Sequence, residues 1–373
     1  MSILNNIRIL DFTWALAGPY ATRLLADFGA EVIKVQSPVM AMENNAFARG
    51  YYKTWNRNKL GITLNLNRLE GVALARRLAQ ICDVVVENFS PRVLANWRMD
   101  YDNLKKSKPE IILVSLSVMG KQINYSGFGA TVQALSGMTH FTSFPGGPPL
   151  GPGFSYADHV AGLYASMKLM EALEQRRKTG KGQHIDLSEV DIMKQMLPFD
   201  EFTPLGNNSP LSAPQNVYLC RDGRWCALSI TNEAQWRGLK KALGNPIWTE
   251  NVKFSTLSGR LNNREELNIM VTGWTQQYTA SEAMSRLQRC GVPGGIIKDA
   301  RDLTKNPQLK ARGFFIKSSI APLVDAVPFR MSAARAEYRK SAPSPGADNE
   351  YVYGKLLGLT KTEMSKLKAN QVI

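Results

Sequence analysis

The sequence predicts an α/β protein, a large domain built on a parallel sheet followed by a smaller α+β domain. Three observations carry this prediction. Apolar runs of strand length alternate with helically spaced segments in the first third of the chain. A stretch rich in Pro, Asn and Ser interrupts the pattern at 198–214, and beyond it a hairpin pattern is followed by helices. The 373 residues suffice for two or three domains at roughly 100–200 residues each.

The first strand is Ile7–Phe12, which runs into the turn Thr13-Trp14-Ala15-Leu16-Ala17-Gly18-Pro19. Tyr20–Phe28 then places Ala21, Leu24, Leu25 and Phe28 at helical spacing, and Gly29 stands where a helix ends. Ala30–Val35 is the second strand, so the three segments form a βαβ unit with parallel strands. Leu69–Ile81 repeats the helical pattern through Val72, Leu74, Leu78 and Ile81, and Val84–Val86 and Ile111–Leu116 are buried strands. Ligands of open parallel sheets gather beyond the C-terminal strand ends. Here those ends carry Thr13, Gln36, Asn88 and Ser117.

Pro145–Gly153 is a Gly/Pro-rich loop, and a long helix follows over Asp158–Lys178. Arg176, Arg177 and Lys178 suit the negative end of its dipole, and Gly180 terminates it. After the linker, Asn216–Ile230 reads as a hairpin turning at Arg221-Asp222-Gly223. Glu233–Leu243, Arg264–Gln277 and Ser281–Arg289 are the helices of the smaller domain, which ends near Gly291-Val292-Pro293. Lys361–Ala369 is a last helix.

Composition narrows the function. Forty-six Lys and Arg against 31 Asp and Glu leave a net charge of +15, which favours an anionic partner. The basic residues are spread along the chain without aromatic interleaving, so no nucleic acid partner is expected. No apolar run is long enough to span a bilayer, and Arg8 and Asp11 in the opening segment exclude a secretory signal. Cys82, Cys220, Cys226 and Cys290 form no CxxC pair, and His140, His159 and His184 have no ligand spacing. No metal site is expected, and a cytoplasmic location fits best. The first βα turn lacks GxGxxG, and neither GxxxxGK[ST] nor GxSxG occurs. Dinucleotide, P-loop and standard α/β-hydrolase chemistry are thereby disfavoured.

Asp158 stands between the Gly/Pro-rich loop and the long helix. Two readings follow from that place. It is either a side chain that caps the helix or an ionised carboxylate nucleophile at a pocket rim, with backbone N–H groups lowering its pKa. Spacing alone favours the cap.

Six segments, in order, resemble the class III (CaiB/BaiF-type) CoA-transferases from end to end. They are RILDFTWALAGPYATRLLADFGAEVIKVQSP from Arg8, NRNKLGITLNL (Asn56–Leu66), DVVVENFSP (Asp83–Pro91), YADHVAGLYA (Tyr156–Ala165), RKTGKGQHIDLS (Arg177–Ser188) and GVPGG…NPQLKARGFF (Gly291–Phe315). The resemblance implies a Rossmann-like large domain, a smaller domain and two chains interlocked as rings in a dimer. With the compositional break at 198–214, it gives the division 1–198 for the large domain, 199–214 for the linker and 215–300 for the small domain, with 301–373 returning to the large one as the resemblance implies. It also implies that CoA moves from an acyl-CoA donor to a carboxylic acid acceptor, with CoA and acyl-CoA as substrates and no permanently bound cofactor. The nucleophile matched here is Asp158, which forms an acyl-aspartyl anhydride and supports enzyme-bound thioester chemistry. Members similar to formyl-CoA transferase contact CoA at positions matched by Leu16, Ala17, Leu64, Asn88 and Phe89.

Three cationic CoA contacts of that enzyme are replaced here by Ser37, Asn67 and Asn96, and the usual Glu after the third strand by Gln36. Lys34, Arg57, Lys59, Arg92 and Arg98 are the nearby cations available instead. His140, Phe141 and Phe144, ahead of the Gly/Pro-rich loop, are candidate acyl-pocket residues. Two alternatives stay open. An α-methylacyl-CoA racemase would pair the Asp with a His, and Gly120–Tyr125, where that His belongs, contains none. A weakly active or non-catalytic subunit of a hetero-oligomeric CoA-transferase would explain the lost cations, in place of a homodimer.

Overall fold

The computed structural model describes residues 2–38, 46–143, 147–197, 212–318 and 321–373. Phe144 and linker residues 199–211 therefore lie outside the described residues. The chain divides into one unit of Met1–Phe199 with Gly313–Ile373 and another of Asp200–Arg312.

In the first unit the strands are β1 (Arg8–Asp11), β2 (Glu31–Gln36), β3 (Leu60–Thr63), β4 (Val84–Glu87), β5 (Ile112–Ser117) and β6 (His184–Ser188). The helices are α1 (Ala17–Asp27), α2 (Ala46–Trp55), α3 (Leu69–Ile81), α4 (Val93–Asn96), α5 (Tyr101–Ser107), α6 (Gly129–Leu135), α7 (Met138–Phe141), α8 (Tyr156–Thr179) and α9 (Glu189–Gln195). The sheet order is β3-β2-β1-β4-β5-β6 with every pairing parallel. This is the doubly wound order, and it reverses direction between β1 and β4. Gln36 closes β2, the second strand rather than the third.

Strand periodicity distributes the core. Ile9, Val32, Val84 and Ile112 enter one cluster with Ala21 and Leu25 of α1 and Ala161, Ala165 and Leu169 of α8. Their sequence neighbours Leu10, Ile33, Val85 and Leu113 enter the opposite cluster with Leu74, Ala75 and Leu78 of α3. Successive residues of a strand point to opposite faces, so both faces are apolar and both are covered by helices. All four residues of β4 and all six of β5 are buried.

The other unit begins with β7 (Gln215–Leu219) and β8 (Trp225–Ser229), an antiparallel pair turning through Gly223 at φ 73°. It continues with α10 (Glu233–Leu243), α11 (Leu257–Asn262), α12 (Arg264–Thr275) and α13 (Ala280–Arg289). A third strand, β9 (Gly294–Ile296), joins β8, and α14 (Ala300–Lys305) and α15 (Pro307–Arg312) follow. Its core gathers Tyr218, Trp236, Phe254, Leu267 and Leu287. The chain then re-enters the first unit with β10 (Phe315–Ser318), β11 (Ala321–Asp325) and α16 (Lys361–Ala369). Asp348 accepts from the Gly61 N–H at 2.7 Å, and Tyr353, Val372 and Ile373 complete the core beside β3. The predicted α/β class is the observed one.

Candidate active site

The switch between β1 and β4 leaves a crevice beyond their C-terminal ends, and one side chain bridges it. Asn88, just after β4, accepts from the Trp14 N–H through Oδ1 at 2.8 Å and donates to the Trp14 carbonyl through Nδ2 at 2.9 Å. The bridge pins the first βα turn, where Ala15 holds a left-handed φ of 59°. From below, Asp11 at the end of β1 accepts from the Thr13 N–H at 2.8 Å. Glu87, the last residue of β4, pairs with Lys121 at 2.7 Å, and Lys121 also donates to the Phe89 carbonyl at 3.1 Å. The loops after β4 and β5 are thereby tied together.

Asp158 lies on α8, which packs on α1, the helix that follows the first βα turn. A Cβ on Gly162, one turn beyond Asp158, would stand 2.7 Å from the Ala17 carbonyl and 2.9 Å from Tyr20, so only glycine permits this approach. Trp14 meets Phe128 edge-on at 5.6 Å, and Phe128 is the residue before Gly129, the first of α6. The Asp158 carboxylate lies against Gly129, with Oδ2 2.0 Å from where a Cβ would be. An unbroken line of contacts thus runs from Asn88 through Trp14, Phe128 and Gly129 to Asp158.

The capping reading of Asp158 is corrected by the helix start. Ser155 is the N-cap residue of α8, so Asp158 is the third residue of the helix. Its carboxylate accepts from its own N–H, and among the described residues it has no ion pair. Burial pushes its pKa up to about 6, against the pull of His159 and of that N–H. The expected lowering by the helix terminus is outweighed by desolvation, yet the group is still mostly ionised at neutral pH. His159 itself is occupied: its Nδ1 lies 2.6 Å from the Ser155 carbonyl, and its ring packs edge-on against Tyr20 and Trp55.

The other sequence candidates lie on several elements of the first unit. Leu16 and Ala17 are buried at the start of α1, Leu64 is buried just past β3, and Phe89 rests half-buried on Trp97. Asn67 and Asn96 are exposed and Ser37 is half-buried. Three of the five alternative cations are consumed inside the fold. Lys34 and Lys59 are buried against Asp11 at 3.2 and 2.9 Å. Arg57 is held by Asp27 and Asp325 at 2.6 and 2.7 Å. Arg92 and Arg98, flanking α4, are exposed. His140 and Phe141 lie on α7 with their rings 6.3 Å apart.

Residues 4–349 match the family described as CoA-transferase family III. The chain belongs to that family. As a family III CoA-transferase it is an enzyme of CoA transfer, with CoA thioesters and carboxylic acids as substrates. It is 33% identical to the succinyl-CoA–D-citramalate CoA-transferase of Chloroflexus aurantiacus, covering 99% of this chain and 98% of the relative. The beta subunit of the succinyl-CoA–L-malate CoA-transferase of the same organism is 27% identical, with 99% and 98% covered. Among solved structures, a CaiB/BaiF family protein from Brucella suis superposes with a TM-score of 0.85 at 29% identity, covering 95% of this chain and 99% of that one. No helix among the described residues is long and apolar enough to cross a membrane.

Sequence reasoning missed Gly129, Phe128 and Glu189. Glu189, the first residue of α9, is 7% exposed, and its carboxyl is pushed up to about 8 by burial and by the charge of Asp158. An acid directly after a strand, at a helix start, reads as an ordinary dipole complement. Only the packing of α9 turns it inward.

Proposed function

We propose that this transferase moves CoA through a covalent anhydride on Asp158, with a short dicarboxylic acyl-CoA of the succinyl class as donor and a small dicarboxylic acid as acceptor. The carrying observation is a carboxylate laid against Gly129, with no ion pair among the described residues and in line with the turn after β1 through Phe128 and Trp14. An Asp158 oxygen attacks the thioester carbon, and the C–S bond breaks to release CoA thiolate. The acceptor carboxylate attacks the aspartyl carbonyl and expels the donor acid. Thiolate then attacks the acceptor's acyl carbon, which forms the new thioester and frees the Asp158 carboxylate. The names of the relatives support the substrate class, and the resemblance of the Tyr156–Ala165 segment supports the nucleophile.

In the same reading CoA lies over Leu16, Ala17, Leu64, Asn88 and Phe89. Leu16, Ala17 and Leu64 are at most 2% exposed, backbone included, so their part is packing around the site. Arg92 and Arg98 take the phosphates in place of the cations lost at Ser37, Asn67 and Asn96. We assign the working form as an interlocked homodimer in the cytoplasm. Leu163, Met167 and Met170, 48%, 53% and 37% exposed along α8, support a covered surface.

The test is intact-protein mass spectrometry after incubation with succinyl-CoA and a hydroxylamine quench. A hydroxamate on Asp158, absent in Asp158→Ala, is expected. Full transfer by a folded Asp158→Ala protein overturns the mechanism. Wash-out of an α-proton from the acyl-CoA without transfer points to a racemase instead.

A further inference from the structure

The structure holds a second carboxyl group, the buried Glu189, on a helix that packs against the nucleophile's own. Glu189 opens α9, behind the N-cap Ser188, which accepts from the Asp191 N–H. That helix packs on α6, on α8 and on β6. The first carries Gly129 and the second Asp158, whose carboxylate lies against that glycine. Glu189 is 7% exposed at the start of this helix, with no ion pair or side-chain hydrogen bond among the described residues.

The charged groups on every packed element can be accounted for. At the start of α8 they are Asp158 and His159, and His159 Nδ1 is engaged with Ser155. The other charged residues of α8, Lys168, Glu171, Glu174, Arg176, Arg177 and Lys178, lie ten or more residues beyond Asp158 and are all ion-paired. On β6, His184 contacts Ser115 at 3.0 Å, and Asp186 accepts from the Lys121 N–H at 3.0 Å. On α9 itself, Asp191 and Lys194 form a loose pair at 4.0 Å on the exposed side. The α6 sequence GATVQAL carries no titratable side chain. Among the described residues, Asp158 is the charge that acts on Glu189.

We propose that Glu189 is a positioning residue for Asp158: it retains one proton beside the nucleophile, so the site carries a single negative charge while the acceptor carboxylate and CoA thiolate, both anions, enter and react. A buried carboxyl and a half-buried one that interact, with no cation paired to either among the described residues, cannot both ionise cheaply, and their protons leave in two steps that belong to the pair. Asp158 takes the first step because it has its own N–H and His159 nearby, whereas Glu189 has neither. The elevated Glu189 pKa of about 8 agrees with this order. Above it, the second charge repels the incoming anions and disturbs the Asp158 carboxylate against Gly129.

This inference rests on Asp158 as the nucleophile. It is tested by the pH dependence of kcat/KM for transfer from succinyl-CoA, in the wild-type full chain and in Glu189→Gln. One ionisation near 8 lowers the wild-type rate about tenfold between pH 7 and pH 9. Glu189→Gln should lose less than about twofold over that range and keep the acid limb. Carboxyl 13C NMR of Glu-labelled protein gives a second reading that needs no activity. One Glu signal titrating near 8 and missing from Glu189→Gln is expected, and titration of every Glu below pH 6 overturns the proposal. The two readings fail separately. Absence of an Asp158 adduct at any pH overturns the nucleophile, whereas an adduct whose alkaline limb survives in Glu189→Gln overturns the part of Glu189.

Discussion

Gly129 and Asp158 touch without an intervening side chain: a Cβ at 129 would stand 2.0 Å from Oδ2 of Asp158 and 3.1 Å from its Cγ. No rotation of a methyl group relieves that overlap, so Gly129→Ala displaces the carboxylate. A misplacement of about 1 Å in a reacting group can cost ~100-fold in rate. Gly129→Ala is expected to lower kcat by about ten- to a hundredfold with little change in KM for acyl-CoA. Steady-state transfer kinetics read both constants, and an unaltered kcat contradicts the placement.

Asn88 exchanges two hydrogen bonds with the Trp14 backbone. Asn88→Ala removes both and frees the turn that holds Ala15 at φ 59°. At about 1 kcal/mol for each bond, the loss corresponds to a rise in KM for acyl-CoA of roughly tenfold or more. The fall in kcat should be smaller, because Asp158 keeps its own support on α8 and α6. A kinetic split in the opposite sense would remove the turn from substrate binding.

The raised pKa of Asp158 links stability to pH. Its value moves from 3.8 to about 6 on folding, so the folded chain binds the proton more tightly than the unfolded one. The associated stability is complete below 3.8 and is lost as pH rises through about 6. Asparagine cannot undergo that loss. Asp158→Asn should melt a few degrees above the wild type at pH 8 and converge with it at pH 4, a difference on the order of 1 kcal/mol. Thermal melts at the two pH values test this, and equal differences at both would contradict it.

Beneath the first turn, Asp11 is fully buried and serves two buried lysines, with Lys59 at 2.9 Å and Lys34 at 3.2 Å. The two ammonium groups hold the Asp11 carboxyl far below the usual carboxylate range, overcoming its burial. Asp11→Ala strands both lysines and should cost about 3–5 kcal/mol, since removing one partner leaves uncompensated buried charge. Lys59→Met should cost markedly less, because Lys34 still balances Asp11. Denaturant unfolding of both variants measures the order, and a reversed order would contradict the account.

Local signals made much of the scaffold legible. Leu69–Ile81, Glu233–Leu243 and Lys361–Ala369 occupy the spans their helical spacing indicates. The buried strands β4 and β5 read directly as apolar runs, because a strand covered on both faces needs apolar residues throughout. The strand β6, HIDLS, did not stand out, since its residues are half-buried or exposed and alternate weakly. Short helices such as α4 and α7 carry too few residues for a period to register.

By itself, then, the sequence determined the α/β class, the parallel βα order and the family motif that singles out Asp158. All three depend on residues close together along the chain. The tertiary structure decided what surrounds that carboxylate. Gly129 lies 29 residues before it and Glu189 31 after it, and nothing in their local context marks them as its neighbours. The charge balance was decided in the same way. Lys34, Lys59 and Arg57 look available in the sequence, but the fold spends them on Asp11, Asp27 and Asp325. Charge is a property of a residue, whereas its availability depends on which opposite charge the packing brings within reach.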